Sequence, residues 1–333
     1  MERELALEFA RVTEAAALAA ARWVGKGNKE AADYAAVTAM RVMFDTVSVD
    51  GVVVIGEGEM DEAPMLYIGE KVGLGVLPEV DIAVDPLEGT NIVAKGLTGA
   101  IAVLAVAPKG SLLHAPDMYM EKIAVGSAAK GRVHLEAPVK ENIKEVAKAL
   151  GKLVCEVTVV ILDRPRHRHI IEEVRKAGAR IKLITDGDVS PGVAAAYSNS
   201  GVDMLMGIGG APEGVITAAA LKCIGGDFQA KLCPEDDKEI LRCKKMGIEN
   251  PAKVFSMNEL VKSDDVIFVA TGITDSFLLK GVRYTKRRAI TETLVMRSTS
   301  GTIRHIEANH DLDRKPLFKD SRIKSLLDQS ING

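Results

Sequence analysis

The stretch Val84-Asp85-Pro86-Leu87-Glu88-Gly89-Thr90-Asn91 puts two carboxylates three residues apart behind an apolar run, beside a glycine and a hydroxyl. Pro86 fixes the exit direction of the chain, Glu88 returns a second acid, and Gly89 lets backbone approach a ligand closely. Thr90 offers a hydroxyl, and a helix starting at 89–91 would present free N–H groups that attract phosphate. Two more acids occupy comparable places: Glu57 in a glycine-rich turn after the β-branched run Val52–Ile55, and Asp33 on the apolar side of a helix. Strand ends in α/β sheets are where ligands collect. Carboxylates brought together repel one another unless a cation neutralises them. Oxygen-only donors suit hard ions such as Mg²⁺ or Mn²⁺. Metal ligands beside a phosphate cradle suit hydrolysis of a phosphate ester, because a bound metal lowers the pKa of water and stabilises the leaving oxygen. The alternative is a set of separate, solvated turn acids.

The elements that must position these residues follow from periodicity. Residues 3–24 read as an alanine-rich amphipathic helix. A second helix runs from about Lys29 to Val47, with the stripe Val37, Met40, Phe44 and Val47 stepped three or four residues apart. Asp33 lies one turn before Val37 on that stripe, so it faces either a partner or solvent at the helix start. Residues 51–73 read as strand, turn and helix, with Asp61 as the cap and Pro64 in the first turn. Apolar Val80, Ile82 and Val84 mark a strand ending at Asp85, and further strands are expected at 100–107 and 119–125. After a charged helix at 140–150, a strand leads into the basic turn "DRPRHRH" and a helix. Then come the strand "IKLITDGD", a short helix, the strand "VDMLMG", and a helix from about Glu213, with strands near 265–270, 290–297 and 301–306. Alternating strands and helices imply α/β layers. A domain boundary is placed near 150, giving an N-terminal metal- and phosphate-binding domain over 1–150 and a C-terminal α/β sugar-phosphate-binding domain over 151–333.

Bulk properties exclude several classes. The chain of 333 residues has a net charge of -3, so no basic field invites nucleic acid. Only 4% of residues are aromatic, which leaves few platforms for stacking bases. No run of about 18 apolar residues appears and the N-terminus lacks a signal-peptide layout, so a cytoplasmic protein is expected. Cys155, Cys223, Cys233 and Cys243 form no C-x-x-C pair, and reduced thiols are expected.

"DPLEGT" resembles the D-P-[LI]-D-[GS]-[ST] motif of the lithium-sensitive sugar phosphatase superfamily. Glu88 in place of the usual aspartate resembles the class II, bacterial-type fructose-1,6-bisphosphatases. So do "GKGNKEAADYAAVTAM", "IGEGEMDEAPMLYIGE", "RPRH", "TDGDV" and "GIGGAPEGV", in family order. The resemblance implies a layered α-β-α-β-α sandwich and metal-dependent hydrolysis of the 1-phosphate of fructose 1,6-bisphosphate, a gluconeogenic step. It also implies Mn²⁺ or Mg²⁺ as cofactor and a homodimer or homotetramer, with no nucleic-acid or membrane partner. It assigns Asp33, Glu57, Asp85, Glu88 and Glu213 as metal ligands. Glu88, Gly89 and Thr90 become the reacting-phosphate site, Thr90 orients or deprotonates the attacking water, and Asp61 supports it. Tyr119, Arg164, Pro165, Arg166, Asp186, Gly187, Asp188 and Gly210 become contacts to the sugar and its distal phosphate. The residues agree with most of this: arginines bind phosphate as a bidentate fork, and aspartates accept from sugar hydroxyls. Glu213 at a helix start would otherwise only complement the helix dipole.

Other readings remain. The same site could also take sedoheptulose 1,7-bisphosphate, or serve a non-catalytic metal-binding regulator. "LITDGDVS" approaches the D-x-D-x-[TV] signature of aspartyl-nucleophile phosphatases, with Ser190 at the last position. The G-x-G openings at Gly56, Gly73 and Gly207 lack the third glycine of a dinucleotide fingerprint.

Overall fold

A computed structural model of the chain describes residues 1, 4–58, 64–315 and 320–323. The chain divides into two compact units, Met1–Ser111 with Asp265–Gly333, and Leu112–Asp264. The first unit opens with α1 (Leu5–Ala20), α2 (Lys29–Phe44), β1 (Asp50–Ile55), β2 (Lys71–Val72), β3 (Glu79–Glu88), α3 (Thr90–Lys95) and β4 (Ile101–Pro108). The second unit holds β5 (Tyr119–Val125), α4 (Val139–Leu150), β6 (Thr158–Leu162), α5 (Arg168–Ala177), β7 (Arg180–Ile184), α6 (Val189–Ala194), β8 (Met204–Gly210), α7 (Ala211–Ile224), β9 (Asp227–Leu232), α8 (Asp237–Lys245), β10 (Phe255–Ser256) and α9 (Met257–Leu260). The chain then returns to the first unit with β11 (Ile267–Gly272), β12 (Arg283–Thr285), β13 (Arg288–Arg297) and β14 (Thr302–Asp311). This grouping does not follow the expected division near residue 150. The reason is pairing: β11 lies antiparallel to β4, so the last strands complete the first sheet.

The first sheet has eight strands and runs β13-β11-β4-β3-β1-β2, with β12 and β14 both paired to β13. β1 and β3 are parallel while β3, β4, β11 and β13 alternate in direction, so the sheet is mixed. One face is covered by α1 and α2. Their small residues, among them Ala16, Ala20, Ala32 and Ala36, are fully buried, which allows the two helices to approach each other closely. Below them lie Val53, Ile82, Val84, Leu104, Val106, Val269 and Val295, taken alternately from five strands. Asn28 starts α2 by accepting from the Ala31 N–H at 2.9 Å.

The second sheet runs β10-β9-β5-β8-β6-β7, with β6 parallel to both β7 and β8 and the remaining pairs antiparallel. Ile123 and Val125 of β5 pack with α4 and α5, through Ile143, Val146, Ile170 and Val174. Strand alternation sends Met120 and Lys122 to the opposite face, where α7 lies.

The helix expected within 51–73 is absent among the described residues. Residues 64–70 instead fold back on β1: the Ile68 N–H donates to Gly58 O, the Gly69 N–H to Val53 O, and the Val53 N–H to Glu70 O. Glu70 holds this return by accepting from the Leu66 N–H and from Arg41 of α2. The elements β9, β10, β12, α8 and α9 were not foreseen.

A buried polar group links β13, β14 and α1. The Lys315 ammonium can only donate, so Nδ1 of His310 accepts at 2.6 Å and Nε2 carries the proton toward Thr291 Oγ1 at 2.8 Å. Burial, and then Lys315, push the His310 pKa down to about 4. The carboxylate of Glu14 on α1 is 3.9 Å from both His310 and Lys315. A histidine held below its ordinary value of about 6.5 gives stability that is complete above that value and is lost as pH falls toward 4. Urea unfolding should therefore show a fall in stability between pH 6.5 and 4. His310→Gln should flatten that part of the profile, and an identical profile in the variant would refute the assignment.

Candidate active site

In the first unit the acids cluster at the ends of adjacent strands. A strand alternates its side chains, so Asp85 and Glu88, three positions apart, should point to opposite faces. The register prevents this: Asp85 pairs with Val103 and Glu88 with Ile101, so β3 uses one more residue than β4 between the two pairs. Val103 and Ile101 share a face, and paired residues lie on the same side, so the bulge brings both acids to one face. Pro86 sits inside the bulge, where a missing N–H costs no ladder bond. Asp85 Oδ1 accepts from the Leu87 N–H at 3.1 Å, which tightens the turn. Glu88 is buried at 3% exposure.

Gly89 follows in the left-handed region at φ 93, which glycine adopts without strain, and caps α3. The Ile92 and Val93 N–H groups donate to Gly89 O, which closes the first turn of α3. Thr90, half-buried, is the first residue of that helix.

β1 carries a similar irregularity. Val53 pairs with Ile82 and Ile55 with Ala83, so β1 gains a residue just before Gly56 and Glu57. A Cβ at Gly56 would lie 1.9 Å from Leu66 O, which explains the glycine. The Glu57 N–H donates to that same Leu66 carbonyl at 3.0 Å. Asp33 lies on α2, which packs against β3 and α3. Burial, and then Glu30, push its pKa up to about 6. Asp61 lies outside the described residues.

In the second unit, β5 and β8 pair Tyr119 with Gly210. The Arg166 guanidinium stacks 4.5 Å from the centre of the Tyr119 ring. Nε and Nη2 of Arg166 both donate to Ile208 O, at 3.1 and 2.9 Å. One edge of the fork is thus spent on backbone, and the Nη1–Nη2 edge remains for an anion. Pro165 opens the 3₁₀ turn that carries Arg166. Arg164 Nη2 is 3.8 Å from Asp186 Oδ1, a loose contact. Gly187 turns the chain at φ 73 so that Asp188 can precede α6.

Glu213 stands in the first turn of α7, after Pro212. Burial pushes its pKa up. Its Oε2 is buried and has no hydrogen-bond partner among the described residues. It lies against Gly210, where a Cβ would approach Oε2 to 1.8 Å.

Two functional candidates went unread in the sequence. His167, fully buried, accepts from the Ile208 N–H through Nε2 at 2.7 Å, so its proton sits on Nδ1 and is donated to Leu162 O at 2.7 Å. It ties the end of β6, the arginine turn and β8 together. Lys122, at 1% exposure, donates to Asp188 Oδ2 at 2.7 Å. The signal for Lys122 was present: in "YMEKIAV" it falls on the same alternation as Met120 and Ala124.

The donors in each unit suit a hard cation. In the first unit Asp33, Glu57, Asp85 and Glu88 offer oxygen alone; in the second, Glu213 does, with a raised pKa and an Oε2 that lacks a partner among the described residues. Among the described residues, no three such side chains close into one metal-holding group.

The bacterial, glpX-encoded fructose-1,6-bisphosphatase model matches residues 3–310. The chain belongs to that family. It is 52% identical over 328 residues to fructose-1,6-bisphosphatase 1 class 2 of Escherichia coli strain K12, covering 95% of this chain and 97% of the relative. It is 48% identical over 337 residues to the D-fructose 1,6-bisphosphatase class 2/sedoheptulose 1,7-bisphosphatase of Synechococcus sp. strain JA-2-3B'a(2-13), covering 94% and 97%. This fructose-1,6-bisphosphatase is a phosphoric monoester hydrolase, so the aspartyl-nucleophile, dinucleotide and non-catalytic readings fall away.

His167→Ala would orphan the Ile208 N–H and the Leu162 carbonyl. Each buried, unpaired polar group costs about 1–3 kcal/mol. Urea unfolding of the variant should show a loss of that size, and an unchanged midpoint would remove His167 as the tie between β6 and β8.

Proposed function

We infer that this chain hydrolyses the 1-phosphate of fructose 1,6-bisphosphate to fructose 6-phosphate and inorganic phosphate, using a bound divalent metal. The observation that carries the reading is the β3 bulge, which turns Asp85 and Glu88 to one face beside Gly89 and Thr90. Asp33, Glu57, Asp85, Glu88 and Glu213 would hold Mg²⁺ or Mn²⁺. When bound, the metal lowers the pKa of the attacking water and stabilises charge on the leaving oxygen. Gly89 brings backbone against the reacting phosphate. The Thr90 hydroxyl orients the attacking water and accepts or relays its proton, with Asp61 as supporting base. The free edge of Arg166, together with Arg164 and Pro165, holds the distal phosphate. Tyr119 and Gly210 border the sugar, and Asp186, Gly187 and Asp188 accept hydrogen bonds from its hydroxyls.

The relative from Synechococcus also supports sedoheptulose 1,7-bisphosphate as a second substrate, because the two sugars share the reacting end. The finer architecture belongs to the same reading. Helices lie on one face of the first sheet and on both faces of the second, which supports a layered α-β-α-β-α sandwich. We place the enzyme in the cytoplasm as a homodimer or homotetramer. Four cysteines outside any disulfide suit a reducing compartment, and no described helix is long and apolar enough to cross a membrane.

Phosphate release from fructose 1,6-bisphosphate should appear with Mn²⁺ or Mg²⁺ and vanish with chelator; release that survives chelation would sink the metal reading. Sedoheptulose 1,7-bisphosphate assayed in parallel ranks the two sugars. Thr90→Ala should lower kcat by about 100-fold, the scale of one proton-transfer group, while KM moves little. A wild-type kcat would remove Thr90 from the chemistry. Glu213→Gln should raise the metal concentration needed for half activity while leaving the thermal midpoint unchanged or higher, because it removes a buried charge. Unaltered metal dependence would take Glu213 out of the ligand set.

A further inference from the structure

The second unit buries one cation among its functional acids. Lys122 leaves β5 on the face toward α7, and its ammonium donates to Asp188 Oδ2 at 2.7 Å. Lys122 is 1% exposed and Asp188 is 7% exposed. A lysine this deep is costly unless paired, so the contact is specified rather than incidental. The surrounding glycines confirm the fit. A Cβ at Gly209 would lie 2.0 Å from Asp188 Oδ2 and 2.9 Å from Lys122 Nζ. A Cβ at Gly214 would lie 2.5 Å from Met120 Sδ and 3.8 Å from Lys122 Cδ. The backbone of "GGAPEG" is therefore shaped around the lysine stem, the ion pair and the Glu213 carboxylate. Register supports this, because Met120 pairs with Gly209 and Lys122 with Gly207.

We propose that Lys122 is a positioning residue for the sugar subsite: it clamps one oxygen of Asp188 under Gly209, so that the other is presented to a sugar hydroxyl. This inference rests on the sugar-phosphate reading above. Without the clamp, Asp188 would be a buried carboxylate free to change rotamer, and that change removes a fixed acceptor. The ammonium also offsets the charge of Glu213, whose carboxyl Lys122 draws down against the stronger effect of burial. Lys122 itself touches neither substrate nor water in this scheme; it acts through Asp188.

The test is a double-mutant cycle on Lys122→Met and Asp188→Asn. Wild type, both single variants and the double variant are compared by steady-state kinetics on fructose 1,6-bisphosphate. They are also compared by the thermal shift that fructose 6-phosphate produces in chelator, where no metal takes part. Lys122→Met is expected to raise KM tenfold or more, with a smaller change in kcat, and to abolish the product-induced shift. In the Asp188→Asn background the same substitution should change KM less than twofold. A KM within twofold of wild type for Lys122→Met, or independent multiplicative effects in the double variant, would overturn the clamp. If Lys122→Met fails to fold, the double variant against Asp188→Asn still decides, since no unpaired carboxylate remains there: equal KM supports the clamp and a further tenfold rise refutes it. Wild type that releases no phosphate would refute the sugar-bisphosphatase reading, and the inference would fall with it. Active wild type with unaffected variants refutes the inference alone.

Discussion

Strand alternation is the constraint on which the candidate site depends. Two acids three residues apart on a regular strand face opposite ways, and one of them would lie under α1 and α2 among Ile82, Val84 and Leu104. There it would be an uncompensated buried charge, costing several kcal/mol after relaxation. The bulge at Pro86–Leu87 removes the conflict by taking one residue out of register with β4. Proline makes the irregularity cheap, because the ladder loses no donor that proline could have supplied. The same device recurs on β1 before Glu57, where Gly56 admits the Leu66 carbonyl that fixes the turn. Neighbouring parallel strands thus end in paired irregularities, and each delivers an acid.

Charge burial then divides the labour between the units. The first unit carries Asp33, Glu57, Asp85 and Glu88, the last of them 3% exposed. Asp33 responds by holding its proton to about 6. The second unit pairs its acids internally instead: Asp188 with Lys122 at 2.7 Å, and Asp186 with Arg164 at 3.8 Å. Acids already matched by side chains suit hydroxyl recognition, because a neutral sugar brings no charge. Acids that burial holds protonated gain from an arriving cation. Glu213 falls in the second group by chemistry, with a raised pKa and a buried oxygen lacking a partner, although it lies on the second unit.

Local signals were legible in the sequence and long-range ones were not. The stripe of α2 as far as Phe44, the strands around Asp85 and at 119–125, the start of α3 and the helix carrying Glu213 all followed from periodicity and turn chemistry, while α2 stops short of the expected Val47, which is buried in the turn beyond it. The segment 64–73 did not, because the hydrogen bonds that fold it back on β1 come from Val53 and Gly58, and Glu70 is held by Arg41 on α2. The return of β11, β13 and β14 to the first sheet is invisible locally, since only pairing to β4 reveals it. The bulge was half legible: Pro86 marked a break, but register needs the partner strand. The arginines of "RPRH" were read as a phosphate fork, while two of Arg166's N–H donors go to the Ile208 carbonyl.

That division of donors bears on how an anion is met. α3 spans only Thr90–Lys95, and two of its first N–H groups already bond Gly89 O. Helix charge at an N-terminus comes from unsatisfied amides, so this short helix supplies little of the attraction a phosphate dianion needs. Asp85 and Glu88 nearby oppose it. At 4 Å, two unit charges repel by about 4 kcal/mol near a protein surface. Acids and phosphate can share this turn only if positive charge lies between them. In the second unit Arg166 keeps a free donor edge while its other edge is anchored to β8. A phosphate met by guanidinium alone gains no activated water, whereas one that shares a cation with carboxylates does, so the chemistry of the donors distinguishes the two kinds of phosphate contact.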